Sequence, residues 1–187
     1  MDILVAGLGN PGGRYRATRH NLGFKVAELL AVRHGAAPER SRHGGLLQEI
    51  RLPEGATLAL FRPQEFMNVS GGPVARAARA YGLDPEQIVA VHDDLESPFG
   101  RVRAKQGGGL AGHNGLRSLA ERVGSREFLR VRLGIGRPGR GDTRDIADWV
   151  LSPFEVDEDP APMIEAGADV VELIARAGID AALREYV

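Results

Sequence analysis

An α/β fold is predicted: a three-layer α/β/α single domain over residues 1–187, built around a mixed central sheet. Three observations predict it. Short apolar runs of strand length interleave with stretches whose apolar residues recur at helical spacing. One pair of strands is separated by turn residues alone, which implies a hairpin and a sheet that is not wholly parallel. The glycine-rich stretches all fall at strand ends or helix starts, the places where open α/β sheets bind ligands.

Each element follows from its residues. Ile3-Leu4-Val5-Ala6, stopped by Gly7, reads as a buried first strand. From about Asn21 to His34, Leu22, Val26, Leu29 and Leu30 share one helical face. Leu46 to Leu52 and Thr57 to Phe61 flank Pro53-Glu54-Gly55, the turn of the hairpin. Pro73 suits the start of a helix reaching about Tyr81, since its missing N–H is not needed there. Ile88 to His92 and Phe128 to Ile135 read as further strands; Gly115 to Val123, Arg144 to Leu151 and most of Pro162 to Tyr186 read as helices. Lys105-Gln106-Gly107-Gly108-Gly109 reads as a flexible basic loop.

Composition narrows the chemistry. No apolar run approaches the roughly 20 residues of a membrane span, and MDILVAG lacks a basic n-region and a cleavage site. A cytoplasmic protein that does not meet membranes is expected. The chain has no cysteine, which excludes disulfides, thiolate nucleophiles and sulfur-ligated zinc. The formal charge of −1 is unevenly placed: after Ser152 nine acids face two arginines, net −7, which leaves +6 on the first 152 residues. That asymmetry permits a polyanion partner on the main body, while the acidic end reads as a solvated helical face.

Gly7-Leu8-Gly9-Asn10-Pro11-Gly12 matches the dinucleotide fingerprint G-x-G-x-x-G after a strand. The fingerprint needs a helix opening at its third glycine, whereas here the polar stretch Arg14 to His20 intervenes, so no nucleotide cofactor is expected. His20 lies at a helix entrance after this loop and suits a general base, because its reference pKa of about 6.5 leaves it largely neutral. Asp93 and Asp94 end a buried strand, where a carboxylate can accept the other imidazole proton. Histidine, carboxylate and water suffice for ester hydrolysis. Asn10, Asn68 and Asn114 each sit in a glycine-bearing loop, and neutral carboxamides suit recognition of a peptide amide. Ser70 is one residue short of a nucleophile elbow, and with an aspartate and His113 would give a serine esterase; but eight residues separate it from the preceding strand, against the geometry of the elbow. His92, Asp93, Asp94 and His113 lack the helical H-E-x-x-H spacing of a zinc hydrolase, and no metal is expected.

Five motifs in order, GLGNPGGRYRATRHNLGF from Gly7, FMNVSGG from Phe66, HDDLESPFG from His92, KQGGGLAGHNGL from Lys105 and RVRLGIGRPG from Arg130, make the chain closely similar to bacterial peptidyl-tRNA hydrolases over essentially its full length. The resemblance implies cofactor-free cleavage of peptidyl-tRNA by a monomeric enzyme without an obligate protein partner. It implies that His20 accepts a proton and that Asp93 stabilises its basic form. Asn10 would separate blocked from unblocked aminoacyl-tRNA, and Tyr15, Phe66, Asn68 and Asn114 would touch the tRNA end and its ester. Lys105, Arg130 and Arg132 fall at basic positions expected near tRNA phosphates, and Met67 and His113 are further site candidates. Glu65 departs from the family, which more often has Thr or Tyr there. The rival from another class is a non-catalytic RNA-binding relative of the fold, against which stand the intact His20, Asp93 and Asn10.

Overall fold

Seven strands form one sheet in the computed structural model, which describes residues 1–187. They are β1 (Ile3–Gly7), β2 (Arg40–Arg42), β3 (Gly45–Arg51), β4 (Thr57–Pro63), β5 (Ile88–Asp94), β6 (Val102–Gln106) and β7 (Leu129–Gly134), in the order β2-β3-β4-β1-β5-β7-β6. The central four, β4-β1-β5-β7, are parallel. The hairpin β3–β4, its extension β2 and the far edge β6 are antiparallel, so the sheet is mixed.

Strand periodicity sorts the core into two layers. Leu4, Ala6, Ala59, Phe61, Ile88 and Ala90 point to one face and pack on Val74, Ala77, Leu116 and Leu119 of α2 (Gly71–Tyr81) and α3 (Asn114–Val123). Val5, Leu58, Leu60, Val89 and Val91 point to the other, beneath α1 (Leu22–Arg33), α4 (Ile146–Val150), α5 (Ala161–Ala177) and α6 (Ile179–Glu185). Each fully buried Leu, Ile or Val contributes roughly 1.5–3 kcal/mol, so both faces are strongly specified.

One close approach positions the site. A side chain at Gly7 would run into the carbonyl of Gly23, and one at Gly23 into Leu8 and the carbonyl of Val91. Helix α1 therefore begins directly against the ends of β1 and β5, and the loop that feeds it, Leu8 to Asn21, is held above the carboxyl ends of the parallel strands. Any larger residue at either glycine would have to move backbone rather than a side-chain tip.

Four expectations need correction. Val102 to Gln106 is edge strand β6, so Lys105 and Gln106 are paired to Arg130 and Leu129 and only the glycines after them form a loop. Arg40–Arg42 adds a short strand not read from the sequence. The long C-terminal helix breaks at Gly178, whose backbone (φ 82°, ψ 169°) is outside the helical region. The acidic end is not simply solvated: Asp169 and Glu172 pair with Arg33 at 2.7 and 3.2 Å, and Glu172 also meets His34 at 2.9 Å, tying α5 to α1. No helix is long and apolar enough to cross a membrane.

Candidate active site

His20 sits in a single 3-10 turn, Arg19–Asn21, immediately before α1. It is 8% exposed, and its Nδ1 lies 2.9 Å from each oxygen of Asp93, the penultimate residue of β5. Nδ1–H therefore donates to the carboxylate, and the lone pair stands on Nε2. Asp94, the other carboxylate the sequence left open, faces elsewhere. It accepts from the Ser97 hydroxyl at 2.6 Å and from Glu96 N–H at 3.1 Å, and pairs with Arg132 at 3.0 Å.

Asp93 has a second imidazole partner. Nε2 of His113 is 3.0 Å from Oδ1, while Nδ1 of the same ring caps α3 by accepting from the N–H groups of Gly115 and Leu116 at 3.1 and 3.3 Å. Because Nδ1 is an acceptor there, the ring proton is on Nε2 and is donated to Asp93. His92 packs edge-on to His113 at 5.0 Å between centroids, donates from Nδ1 to the Asp93 carbonyl at 2.7 Å, and keeps a buried Nε2 without a partner. Burial, with His113 adjacent, depresses the His92 pKa to about 3, so that ring is neutral.

Electrostatics follow from the same contacts. Burial disfavours charge on His20, but the Asp93 charge and hydrogen bond outweigh it and raise its pKa above the ordinary 6.5. Burial would raise Asp93; the two histidines and their hydrogen bonds instead hold it well below the usual carboxylate range. The pair is a basic imidazole backed by a permanent anion.

A cleft of about 150 Å³ opens on this pair, with His20, Asp93 and His113 on one side and Ile146, Ala147 and Val150 of α4 on another. Ala111, Gly112 and Asn114 also line it, Ala111 with a left-handed backbone (φ 51°). Asn114, the first residue of α3, and Asn68, in the turn after β4, are both exposed. Asn10 is held more tightly. Its Oδ1 accepts from Met67 N–H at 2.7 Å, while its backbone N–H and C=O are clasped by the Asn21 carboxamide at 2.9 Å each. Its oxygen already accepts one hydrogen bond, while its NH₂ donates none within the protein and is available as a donor. Met67 is buried against Gly115, where a side chain would strike its sulfur. Phe66 is 58% exposed and meets the Tyr15 ring edge-on at 6.3 Å, with the Arg14 guanidinium 4.8 Å from the Tyr15 centroid.

The basic candidates gather on β6 and β7. Cross-strand register sets Arg103 opposite Arg132 and Lys105 opposite Arg130, four cations on one face of the sheet edge. Like charges so placed are unfavourable for the sheet alone. Their uses differ. Arg130, expected near phosphates, is 2% exposed and turned inward onto the carbonyls of Gly109, at 2.7 Å, and Gly107. Arg132 has an acidic partner in Asp94, whereas Lys105 forms no ion pair and is half-buried beside the Gly107–Gly109 turn. Burial and the neighbouring arginines lower the Lys105 pKa.

The serine rival has no geometry here: Ser70 is fully buried, donates to the Met67 carbonyl at 2.8 Å and stands at the entrance to α2. The residues after Gly12 form a 3-10 turn and α1 opens only at Leu22, so the loop lacks the helix a pyrophosphate needs. His20, Asp93 and His113 do bring three ligand-type atoms within 4.8 Å of one another, and Asp93 there accepts from both imidazoles. Glu65 pairs with Arg76 at 3.4 Å on the surface. Asn21 and Arg19 flank His20 and are not singled out by the sequence, their place beside it being the only signal; His92, weighed there only as a metal ligand, instead packs on His113 and the Asp93 carbonyl.

Residues 4–187 match the family model described as Peptidyl-tRNA hydrolase. The chain is 46% identical over 183 residues to a peptidyl-tRNA hydrolase of Nocardia farcinica, covering 96% of this chain and 93% of that protein. It is 48% identical over 186 residues to one of Frankia casuarinae, covering 98% and 92%. Among solved structures, the peptidyl-tRNA hydrolase of Acinetobacter baumannii superposes with a TM-score of 0.89 at 34% identity, over 98% of this chain and 93% of that one.

Proposed function

We propose the following mechanism for a chain that belongs to the peptidyl-tRNA hydrolase family and hydrolyses the ester joining a peptide to tRNA. His20 Nε2 takes a proton from water as the water oxygen attacks the ester carbonyl. Asp93 holds the tautomer through Nδ1 and stabilises the imidazolium that forms. When the tetrahedral intermediate collapses, the 3′ oxygen of the terminal ribose leaves and takes that proton, giving free tRNA and a peptide acid. No cofactor enters these steps. The observation that carries the reading is the His20 ring itself: one nitrogen is committed to a buried carboxylate, which makes the other a base at the cleft.

Recognition is divided among the remaining residues. The Asn10 NH₂ donates to the acyl carbonyl that a blocked amino group carries; a free ammonium has no acceptor to offer it. Asn68 and Asn114 contact the ester and the tRNA end, Tyr15 and Phe66 offer an exposed aromatic lip for stacking, and Met67 and His113 support Asn10 and Asp93. Lys105 and Arg132 face the phosphates. Residues 1–187 act as one domain, a monomer in the cytoplasm with no obligate protein partner.

The test is single-turnover cleavage of N-acetyl-aminoacyl-tRNA by His20→Ala. General-base help is worth roughly 10²- to 10⁴-fold, and a loss of that size is expected with tRNA affinity retained. Wild-type turnover would remove His20 as the base.

A further inference from the structure

The part of the cleft wall made by α4 needs an anchor that its own helix does not supply. Helix α4 has five residues, of which Trp149 and Val150 are buried. A helix of that length is not stable alone, since nucleation costs more than so few hydrogen bonds return. Yet three of its residues, Ile146, Ala147 and Val150, line the same cleft as His20, so a shift of α4 changes the shape of that cleft.

The anchor is Arg19, the residue before His20. Its side chain is fully buried and runs away from the Asp93 cluster into the segment that follows α4. Nη1 donates to the Pro153 carbonyl at 2.6 Å and to the Ser152 hydroxyl at 2.7 Å; Nη2 reaches Glu158 at 2.9 Å and Glu155 at 3.5 Å. The guanidinium carbon lies 3.7 Å from the centroid of Trp149, whose indole N–H donates to the Gly136 carbonyl at 2.9 Å. The backbones are joined as well, by Arg19 N–H to the Ser152 carbonyl at 3.1 Å and by a bridge between Thr18 and Pro153. Adjacent residues of one 3-10 turn thus hold His20 and the α4 part of the cleft wall: His20 is fixed to β5, and Arg19 to α4 and its continuation.

From this juxtaposition, and resting on the hydrolase mechanism above, we infer that Arg19 is a positioning residue for ester hydrolysis, acting through α4 to hold the substrate carbonyl within reach of the His20-bound water. The planar fork is what the site uses, because it satisfies a carbonyl, a hydroxyl and two carboxylates while stacking on an indole. Lysine would keep the charge and lose the fork.

Arg19→Met and Arg19→Lys separate this role from simple stability. Each is assayed well below its melting temperature for saturating single-turnover rate, tRNA affinity and the pH midpoint of the rate. Small displacements at a reacting centre can cost up to about a hundredfold, and a fall of roughly ten- to a hundredfold is expected for Met, with part of it recovered by Lys. Affinity and pH midpoint should stay put, since neither the β6–β7 face nor the His20–Asp93 contact is touched. A folded Arg19→Met with the wild-type rate overturns the inference. Should Arg19→Met fail to fold, the double variant Ser152→Ala, Glu158→Gln removes two of the anchors with Arg19 in place; a several-fold loss of rate supports the role, and an unchanged rate overturns it. His20→Ala run alongside distinguishes the failures: turnover in that variant sinks the base mechanism, whereas its loss beside a fully active Arg19→Met sinks only the role of Arg19.

Discussion

Two clusters of charge on this molecule are built on opposite plans. Around Asp93 a buried carboxylate meets two imidazoles, one of them also a helix cap, and His20 Nε2 is left as the nitrogen that faces the cleft. On β6 and β7 four cations share one face, and only Arg132 has an acid beside it. The first arrangement spends its hydrogen bonds internally to define one proton's position. The second leaves charge unneutralised by the protein, which is what a polyanionic ligand requires. On the proposed function, the site for chemistry is marked by satisfaction and the site for phosphate by its lack.

That contrast breaks first at Asp93. Asp93→Asn should lower single-turnover cleavage by roughly 10²-fold or more, because an amide neither fixes the His20 tautomer nor stabilises its cation. The pH profile gives the sign. The proposed mechanism needs neutral His20, whose pKa Asp93 raises, so wild-type activity should fall as pH drops through that elevated value, and the residual activity of Asp93→Asn should persist to lower pH. An unmoved midpoint would disconnect the carboxylate from the base. Next in size is Asn10→Ala: loss of one hydrogen bond, roughly a tenfold effect, should shrink the ratio of kcat/KM for N-acetyl-aminoacyl-tRNA over aminoacyl-tRNA, and an unchanged ratio would assign discrimination elsewhere.

The basic face gives smaller effects that divide its own members. Lys105→Ala should weaken binding of different tRNAs alike and reduce the log-log salt slope by about 0.9 per contact, with the saturating rate nearly unchanged. A constant slope would take Lys105 off the phosphates. Arg130→Ala should do the reverse, leaving the salt slope alone while lowering stability by roughly 2 kcal/mol through the loss of its bonds to the glycine carbonyls, read as a shift in thermal midpoint. If instead it altered the slope as Lys105 does, the inward-turned Arg130 would have to swing out to meet RNA.

Much of this was legible beforehand, and the exceptions share a cause. Val5 and Leu4, or Val89 and Ile88, declare strands because both sides of a central strand are apolar; β6, with Val102 and Ala104 on one side and cations on the other, carries too thin a pattern to declare one, and its last two residues read with the glycines after them as loop. His20 and Asp93 stand out as candidates by residue type, since few groups do acid–base work. Residue type alone leaves the choice between Asp93 and Asp94 open, the resemblance points to Asp93, and in the fold Asp94 is occupied by Ser97 and Arg132. Arg19 and Arg130 look like solvated arginines in the sequence. What buries them lies elsewhere along the chain, from Trp149 to Glu158 for the first, up to 139 residues away, and at Gly107 to Gly109 for the second, 21 to 23 residues away, and no local pattern encodes either contact.

The tight crossing of Gly7 and Gly23 has a consequence for local unfolding. Because α1 starts in contact with the ends of β1 and β5, the loop that bears Asn10 and His20 has no slack to open by itself. The Leu8 amide is bonded to the Val91 carbonyl and the Asn10 amide to Asn21. In native-state hydrogen exchange these protons should be released only with the whole domain, near the global unfolding free energy, while amides of the Gly107–Gly112 segment exchange through cheap local excursions. The base would then belong to the most slowly opening unit of the molecule and the glycine loop to the most readily opened one, so heat or denaturant would loosen the loop long before disturbing the proton acceptor.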